Sequence, residues 1–231
     1  MEQLNKYSKN MQNITLSNIF NNRSLILIAK VFIPGILFLA IMGVISLLSD
    51  FHFDLFSRDP IELLNGKPYY GIISNTGIIL WCASSAILFF SSKLSSRNKG
   101  HKQQTLFLFF GGLLSLLMLI DDLFLMHDIV FPEYLNLDEK VFYFFYGLSV
   151  VSIFYIYRKI ILNSDYIFLI LSFVLLGASS MTDVALAVGL NLNYPFVVED
   201  SLKFLGIISW FAYFTRTAYM YIKPIIGLIS I

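Results

Sequence analysis

The sequence has few charged residues and only one cysteine, and each shortage excludes a class of protein. Charged side chains make up 13% of the 231 residues, whereas a soluble domain usually carries about 25%. The single cysteine, Cys82, excludes an intrachain disulfide and any metal cluster built from several thiolates. The formal net charge of +1, without a long basic tract, indicates no nucleic-acid partner. These shortages predict that lipid is the main solvent of the chain.

Histidine is also scarce, which limits the metal sites that the chain can build. The three histidines, His52, His101 and His127, are dispersed along the sequence. No His-Glu-x-x-His motif occurs, and no other His-x-x-x-His pair; paired histidines at this spacing bind the metal in familiar metallohydrolases. A metal site here would therefore use mainly carboxylate oxygens, with His127 as the one histidine close to a cluster of acids.

Apolar runs are what the chain has in abundance. Hydrophobic residues make up 57% of the sequence and include 23 Phe and 13 Tyr. Six runs are each about 20 residues long, which is the length that an α-helix needs to cross a bilayer core of about 30 Å. The six predicted spans are about residues 25–48, 71–92, 103–128, 140–157, 165–190 and 196–216. We therefore predict an all-α, six-helix transmembrane bundle that forms one domain over residues 1–231.

The distribution of basic residues predicts the orientation of this bundle. Cytoplasmic ends of membrane spans are enriched in Lys and Arg. With the N-terminus inside, 12 of the 16 basic residues lie on the cytoplasmic side. They are Lys6, Lys9, Arg23, Lys30, Lys93, Arg97, Lys99, Lys102, Arg158, Lys159, Arg216 and Lys223. The sequence thus predicts a multi-pass protein of the cell (inner) membrane with both termini in the cytoplasm.

The acidic residues follow the opposite pattern and point to a site. Of the 15 acids, 13 lie in the predicted outer half, and six of these fall at the ends of spans rather than in loops. The six are Asp121, Asp122, Asp128, Asp183, Glu199 and Asp200. An ionisable residue within a membrane span indicates a functional site by default. Because three spans contribute these groups, we predict one outward-facing intramembrane acidic site.

The helical spacing refines this prediction. Only 12 uncharged residues separate Lys203 from Arg216, about 18 Å of helix, which is too short to cross the core. We favour the interpretation that Lys203 lies within the outer hydrocarbon zone, where Glu199 or Asp200 pairs with it. On one continuous third helix His127 would point away from Asp121.

Carboxylates in this number favour a divalent metal ion, of unidentified kind, as the cofactor. The predicted ligands are Asp121, Asp122, His127, Asp128, Asp183 and Glu199, and the predicted catalytic residues are Asp121, Asp183 and Glu199. The predicted supporting residues are Asp200, Lys203, Ser74, Asn75 and Ser180. The aromatic run from Val141 to Tyr146 is interpreted as a lipid-facing interfacial belt.

Three functions stay open at this level. The favoured hypothesis is a metal-dependent membrane hydrolase, in which the ion activates water against a lipid or another apolar substrate. The first alternative is a proton- or cation-coupled transporter, because intramembrane acids paired with a lysine are what proton relays use. The second is an accessory subunit whose charges meet a partner within the membrane. A homo-oligomer is compatible with each of the three.

Overall fold

The computed structural model describes residues 22–49, 55, 60–96, 102–136, 139–187 and 195–229, and all regular secondary structure in these ranges is helical. The predicted all-α class is therefore confirmed for the part of the chain that is described. The chain divides into two compact units, Met1–Tyr70 and Gly71–Ile231, and each is described by itself. The prediction of one domain stays a prediction.

The first unit contains a long apolar helix. Helix α1 covers Asn22–Leu48 and the short helix α2 covers Pro60–Leu63. From Phe32 onward nearly every apolar side chain of α1 is exposed. These apolar residues surround the whole helix rather than forming one stripe. A helix that is apolar on all sides is typical of a protein core or a membrane span.

The second unit begins with an antiparallel helix pair. Its elements are α3 (Ile72–Ser95), α4 (Lys102–Phe124), a π-helical segment (Met126–Tyr134), α5 (Glu139–Ile156), α6 (Arg158–Leu162), α7 (Tyr166–Ala187) and α8 (Pro195–Ile229). Ser92 Oγ donates to the carbonyl of Thr105 at 2.9 Å, and Ser85 Oγ donates to the carbonyl of Gly112 at 3.1 Å. Residue numbers fall along α3 as they rise along α4, so the two helices run in opposite directions.

Helices α7 and α8 form a second antiparallel pair. Ser179 Oγ donates to the carbonyl of Glu199 at 3.0 Å, near one end of the pair. At the other end Arg216 Nε donates to Asp165 Oδ2 at 2.6 Å. Between them the helices approach closely, because a Cβ on Gly206 would lie 2.7 Å from Leu176 Cγ. The glycine therefore permits the contact.

Buried aromatic rings of α8 join the two pairs. Trp210 is 1% exposed, and its ring packs edge-on against that of Trp81 with the centroids 5.5 Å apart. Its Nε1 donates to Ser115 Oγ at 2.9 Å. Phe214 fills the space at Gly111, where a Cβ would lie 2.7 Å from the phenylalanine ring. The inner part of α8 is thus the centre of the core, packed on α3 and α4.

Two of the described helices, Ile72–Ser95 and Lys102–Phe124, are long and apolar enough to cross a membrane. The described part of the chain also holds three shorter apolar stretches, Phe32–Leu48, Phe144–Ile156 and Tyr166–Thr182. All six predicted spans start within about three residues of an observed helix, although α8 continues past residue 216 to Ile229. The third span ends early, and this difference shapes the candidate site.

Candidate functional site

The site is built around a break in the chain at Leu125. Helix α4 ends at Phe124, not near residue 128 as predicted, because Leu125 adopts a left-handed conformation with φ 51° and ψ 46°. Bulky residues rarely adopt this conformation. The chain continues as a π-helical segment, in which the Leu125 carbonyl accepts hydrogen bonds from the amides of Ile129 at 2.9 Å and Val130 at 3.2 Å. The break redirects the segment that carries His127.

The redirected segment brings His127 back onto Asp121. The His127 amide donates to Asp121 Oδ1 at 3.1 Å, and its ring Nδ1 lies 2.8 Å from Oδ1 and 2.9 Å from Oδ2. The two side chains are only 14% and 10% exposed. The prediction that His127 faces away from Asp121 was therefore wrong, because it assumed a continuous α-helix through Leu125. The result is a largely buried carboxylate–imidazole pair.

The neighbouring carboxylate, Asp122, joins three helices. Lys203 Nζ of α8 lies 2.8 Å from Asp122 Oδ1, and Trp81 Nε1 of α3 donates to Asp122 Oδ2 at 2.8 Å. The Asp122 side chain is 10% exposed, and that of Lys203 is 39% exposed. Helical spacing had indicated Glu199 or Asp200 as the partner of Lys203; the structure adds a carboxylate from another helix. We refer to Asp121, Asp122, His127 and Lys203 as the acid–base cluster.

The aromatic run from Val141 to Tyr146 lies on α5. Tyr146 is half-buried and packs against the apolar core of the unit, whereas Phe144 and Phe145 are exposed. The sequence interpretation of this run as a lipid-facing belt stays a prediction. Four elements of the second unit contribute to the cluster or its contacts: α3, α4, the π-helical segment and α8.

A small polar cavity adjoins the cluster. It has a volume of about 40 Å³, which is about the space that one water molecule occupies. Its lining residues are Ile73, Ser74, Gly77, Asp122, Asp200, Lys203, Phe204 and Ile207. The cavity therefore offers two carboxylates, an amine and a hydroxyl-bearing residue around a water-sized space.

The other predicted site residues are placed as follows. Glu199 is half-buried, and its carbonyl accepts the hydrogen bond from Ser179. Asn75 is exposed in the first turn of α3. Ser180 is exposed, with its Oγ donating to the carbonyl of Leu176 at 3.2 Å. The side chains of Asp128 and Asp183 lie outside the described part of the chain.

The contacts of the cluster bear on the predicted metal site. Among the residues that the structure describes, no group of three or more His, Cys, Asp or Glu side chains is arranged to hold a metal ion. Both oxygens of Asp122 contact nitrogen donors, and both oxygens of Asp121 face His127 Nδ1. A metal ion at either carboxylate would share its oxygens with these groups. The predicted ligand set, which includes Asp128 and Asp183, stays a prediction.

A family model matches the part of the chain that contains the acid–base cluster. A family described as a domain of unknown function (DUF8692) matches residues 31–217. The match begins in α1 and ends in α8, so it includes the whole acid–base cluster. No curated protein and no solved structure matches the chain.

Proposed function

This chain belongs to the DUF8692 family, and we propose that it is a multi-pass membrane protein whose acid–base cluster transfers protons across the membrane. The proposal has two parts, the placement in a membrane and the chemistry of the cluster. They rest on different observations and have separate tests.

The membrane placement is supported by apolar helices that the fold leaves exposed. A core helix of a soluble protein is mostly buried, whereas the apolar windows of α3 and α4 are only 28% and 39% buried. Large apolar side chains are exposed along α1, α3, α5 and α7, and soluble proteins rarely expose extended apolar patches. The strong bias of Lys and Arg to alternate loops favours six spans in the inner membrane, with the cluster toward the outer side.

The Asp121–His127 pair carries the proposal of proton transfer. Nδ1 of His127 lies 2.8 Å from Asp121 Oδ1, and the two side chains are largely buried. This is a geometry that lets a proton move between the carboxylate and the imidazole.

The adjoining cavity supports transfer more than catalysis on a large substrate. A volume of about 40 Å³ suits a water molecule, while sites for small organic ligands measure about 300–1,000 Å³. Water in this cavity would hydrogen-bond to Asp122 and Lys203 and connect these two members of the cluster to solvent. An exchangeable proton and a water-sized polar space are the components of a proton relay in a membrane.

Proton flux into liposomes tests this function. Purified protein is reconstituted into vesicles that contain a pH-sensitive dye, and a pH gradient or a potassium diffusion potential is then imposed. We expect flux above that of empty vesicles, and we expect Asp121→Asn and Asp122→Asn each to lower it at least tenfold. Asp165→Asn is the matched control, because it changes an exposed ion-paired aspartate. Wild-type flux equal to that of empty vesicles under both gradients would refute proton transfer across the membrane by this protein.

One observation favours a second candidate, the hydrolase predicted from the sequence. Asp121 holds both the amide and the ring Nδ1 of His127. A carboxylate in this position orients a histidine that acts as a general base, or as a metal ligand, through its other ring nitrogen. In the metal-dependent version His127 would be joined by acids of the predicted ligand set, such as Asp128 or Asp183.

Elemental analysis separates this candidate from proton transfer. The hydrolase proposal expects a stoichiometric divalent metal in detergent-purified protein and its loss in Asp183→Ala. Wild-type protein that carries no metal, even after incubation with zinc or manganese, would exclude the metal-dependent form. Asp165→Ala again serves as the control for removal of an acid outside the cluster.

A further inference from the structure

A second feature of the same unit is an apolar groove. Its lining residues lie between His127 and Lys203 in the sequence. The groove runs along α5, α6 and α7 and has a volume of about 650 Å³. Its lining residues are Val150, Val151, Phe154, Tyr155, Arg158, Ile161, Leu162, Tyr166, Leu169, Ile170 and Phe173. From Val150 to Arg158 it follows eight residues of chain, about 12 Å at the rise of an α-helix. Its walls are almost entirely hydrocarbon and aromatic.

One end of the groove carries a positive charge. The guanidinium of Arg158 lies over the ring of Tyr155, with Cζ 4.6 Å from the ring centroid, and Nη1 donates to the Tyr155 carbonyl at 3.2 Å. This hydrogen bond uses one of the five guanidinium N–H donors. Among the described residues no carboxylate pairs with Arg158, in contrast to Arg216, which pairs with Asp165. Lys159 follows directly and is exposed.

An apolar groove with a cationic end is complementary to an anionic amphiphile. Basic pockets between membrane helices on the cytoplasmic side bind the head groups of acidic lipids, and arginine binds phosphate through several parallel hydrogen bonds. The positive-inside distribution places Arg158 and Lys159 at the cytoplasmic interface, so the groove would extend from that interface toward the bilayer centre. Tyr155 and Tyr166 at this end have the aromatic character of interfacial positions.

We propose that this groove is a binding site for an anionic phospholipid of the cytoplasmic leaflet. One acyl chain lies in the groove, and the phosphate contacts Arg158, the basic residue that lines it. The inference rests on the membrane placement proposed above but not on proton transfer. It assigns the chain a specific lipid ligand in addition to the bilayer itself.

The buried tryptophan of the core provides a direct readout. The lining rings of Phe154 and Phe173 pack against Trp210, with centroid distances of 6.5 Å and 6.1 Å. A bromine atom on an acyl chain in the groove would therefore lie one ring layer from Trp210 and quench its fluorescence. The full-length protein is reconstituted in phosphatidylcholine vesicles, and brominated phosphatidylglycerol or brominated phosphatidylcholine is added in increasing mole fraction.

We expect brominated phosphatidylglycerol to reach half-maximal quenching at a mole fraction about fivefold lower than brominated phosphatidylcholine. One basic residue near an anionic head group contributes about this preference. Arg158→Gln should remove most of the difference. Lys93→Gln is the matched control, because it removes an exposed positive charge near the same predicted interface but outside the groove, and it should retain the difference.

The outcomes distinguish this inference from the proposals before it. Vesicle flotation reports membrane placement, and a protein that stays in the soluble fraction would refute both the placement and the lipid site. A protein that floats but is quenched equally by the two lipids would refute the lipid site alone. A preference that survives in Arg158→Gln would also refute it. Because Arg158 is exposed, the variant should fold, and an unchanged circular dichroism spectrum checks this.

Discussion

The contact between Asp122 and Lys203 allows the sharpest prediction about stability. Asp122 is 10% exposed, and its two oxygens contact Lys203 Nζ and Trp81 Nε1, each at 2.8 Å. Removing one partner of a fully buried ion pair costs about 3–5 kcal/mol. In Lys203→Met, Trp81 still donates to the carboxylate. We therefore expect the free energy of unfolding of that variant to fall by about 2–3 kcal/mol. We expect Asp122→Asn to lose about 1–2 kcal/mol, because the 39% exposed lysine can turn toward solvent.

The double variant carries the decisive information. Once the lysine is absent, an asparagine at position 122 leaves no charge uncompensated, so the two costs should not add. We expect a coupling free energy of about 2 kcal/mol between the two positions. The assay is reversible unfolding in mixed detergent micelles by titration with sodium dodecyl sulfate, followed by tryptophan fluorescence. Costs that add to within about 0.5 kcal/mol would refute the idea that this contact joins α4 to α8.

Two further predictions concern the helix pairs. In Gly206→Ala the new Cβ would lie 2.7 Å from Leu176 Cγ, so we expect destabilisation by about 1–3 kcal/mol. Gly177→Ala is the control, because no atom lies within 4 Å of the added Cβ. We expect this control to be neutral or stabilising by up to about 1 kcal/mol. Equal unfolding midpoints for these two variants would contradict the close approach of α7 and α8. Arg216→Gln should lower the free energy of unfolding by less than about 1 kcal/mol, because the side chains of Arg216 and Asp165 are 58% and 50% exposed. A loss above about 2 kcal/mol in thermal unfolding would contradict this expectation.

The helices themselves were predictable from local sequence. Runs of about 20 apolar residues bounded by charges place all six helix starts within about three residues of the observed positions, since helix formation depends on neighbouring residues and on composition. The third run also indicated that Asp121 and Asp122 lie late in a helix, and they lie in the last turn of α4. These features need no knowledge of which helices are neighbours.

The contacts within the site could not be predicted in the same way. The residue pattern at Leu125 does not predict a left-handed backbone, because bulky residues rarely adopt this conformation. Without that break His127 cannot reach Asp121. Trp81 lies 41 residues before its partner Asp122 and resembles any other apolar residue of a span. The Trp81 contact depends on how α3 is rotated about its axis, and the His127 contact depends on the backbone break.

The sequence by itself determined that the second unit and α1 are helical and strongly apolar, because composition and short-range hydrogen bonding decide both. Only the tertiary structure decided which charges meet. Lys203 contacts Asp122 across helices because the packing of Trp210 and Phe214 against α3 and α4 sets the rotation of α8. His127 contacts Asp121 because one residue between them leaves the helical conformation. The rotation of α8 arises from the packed core, whose partners are distant in sequence.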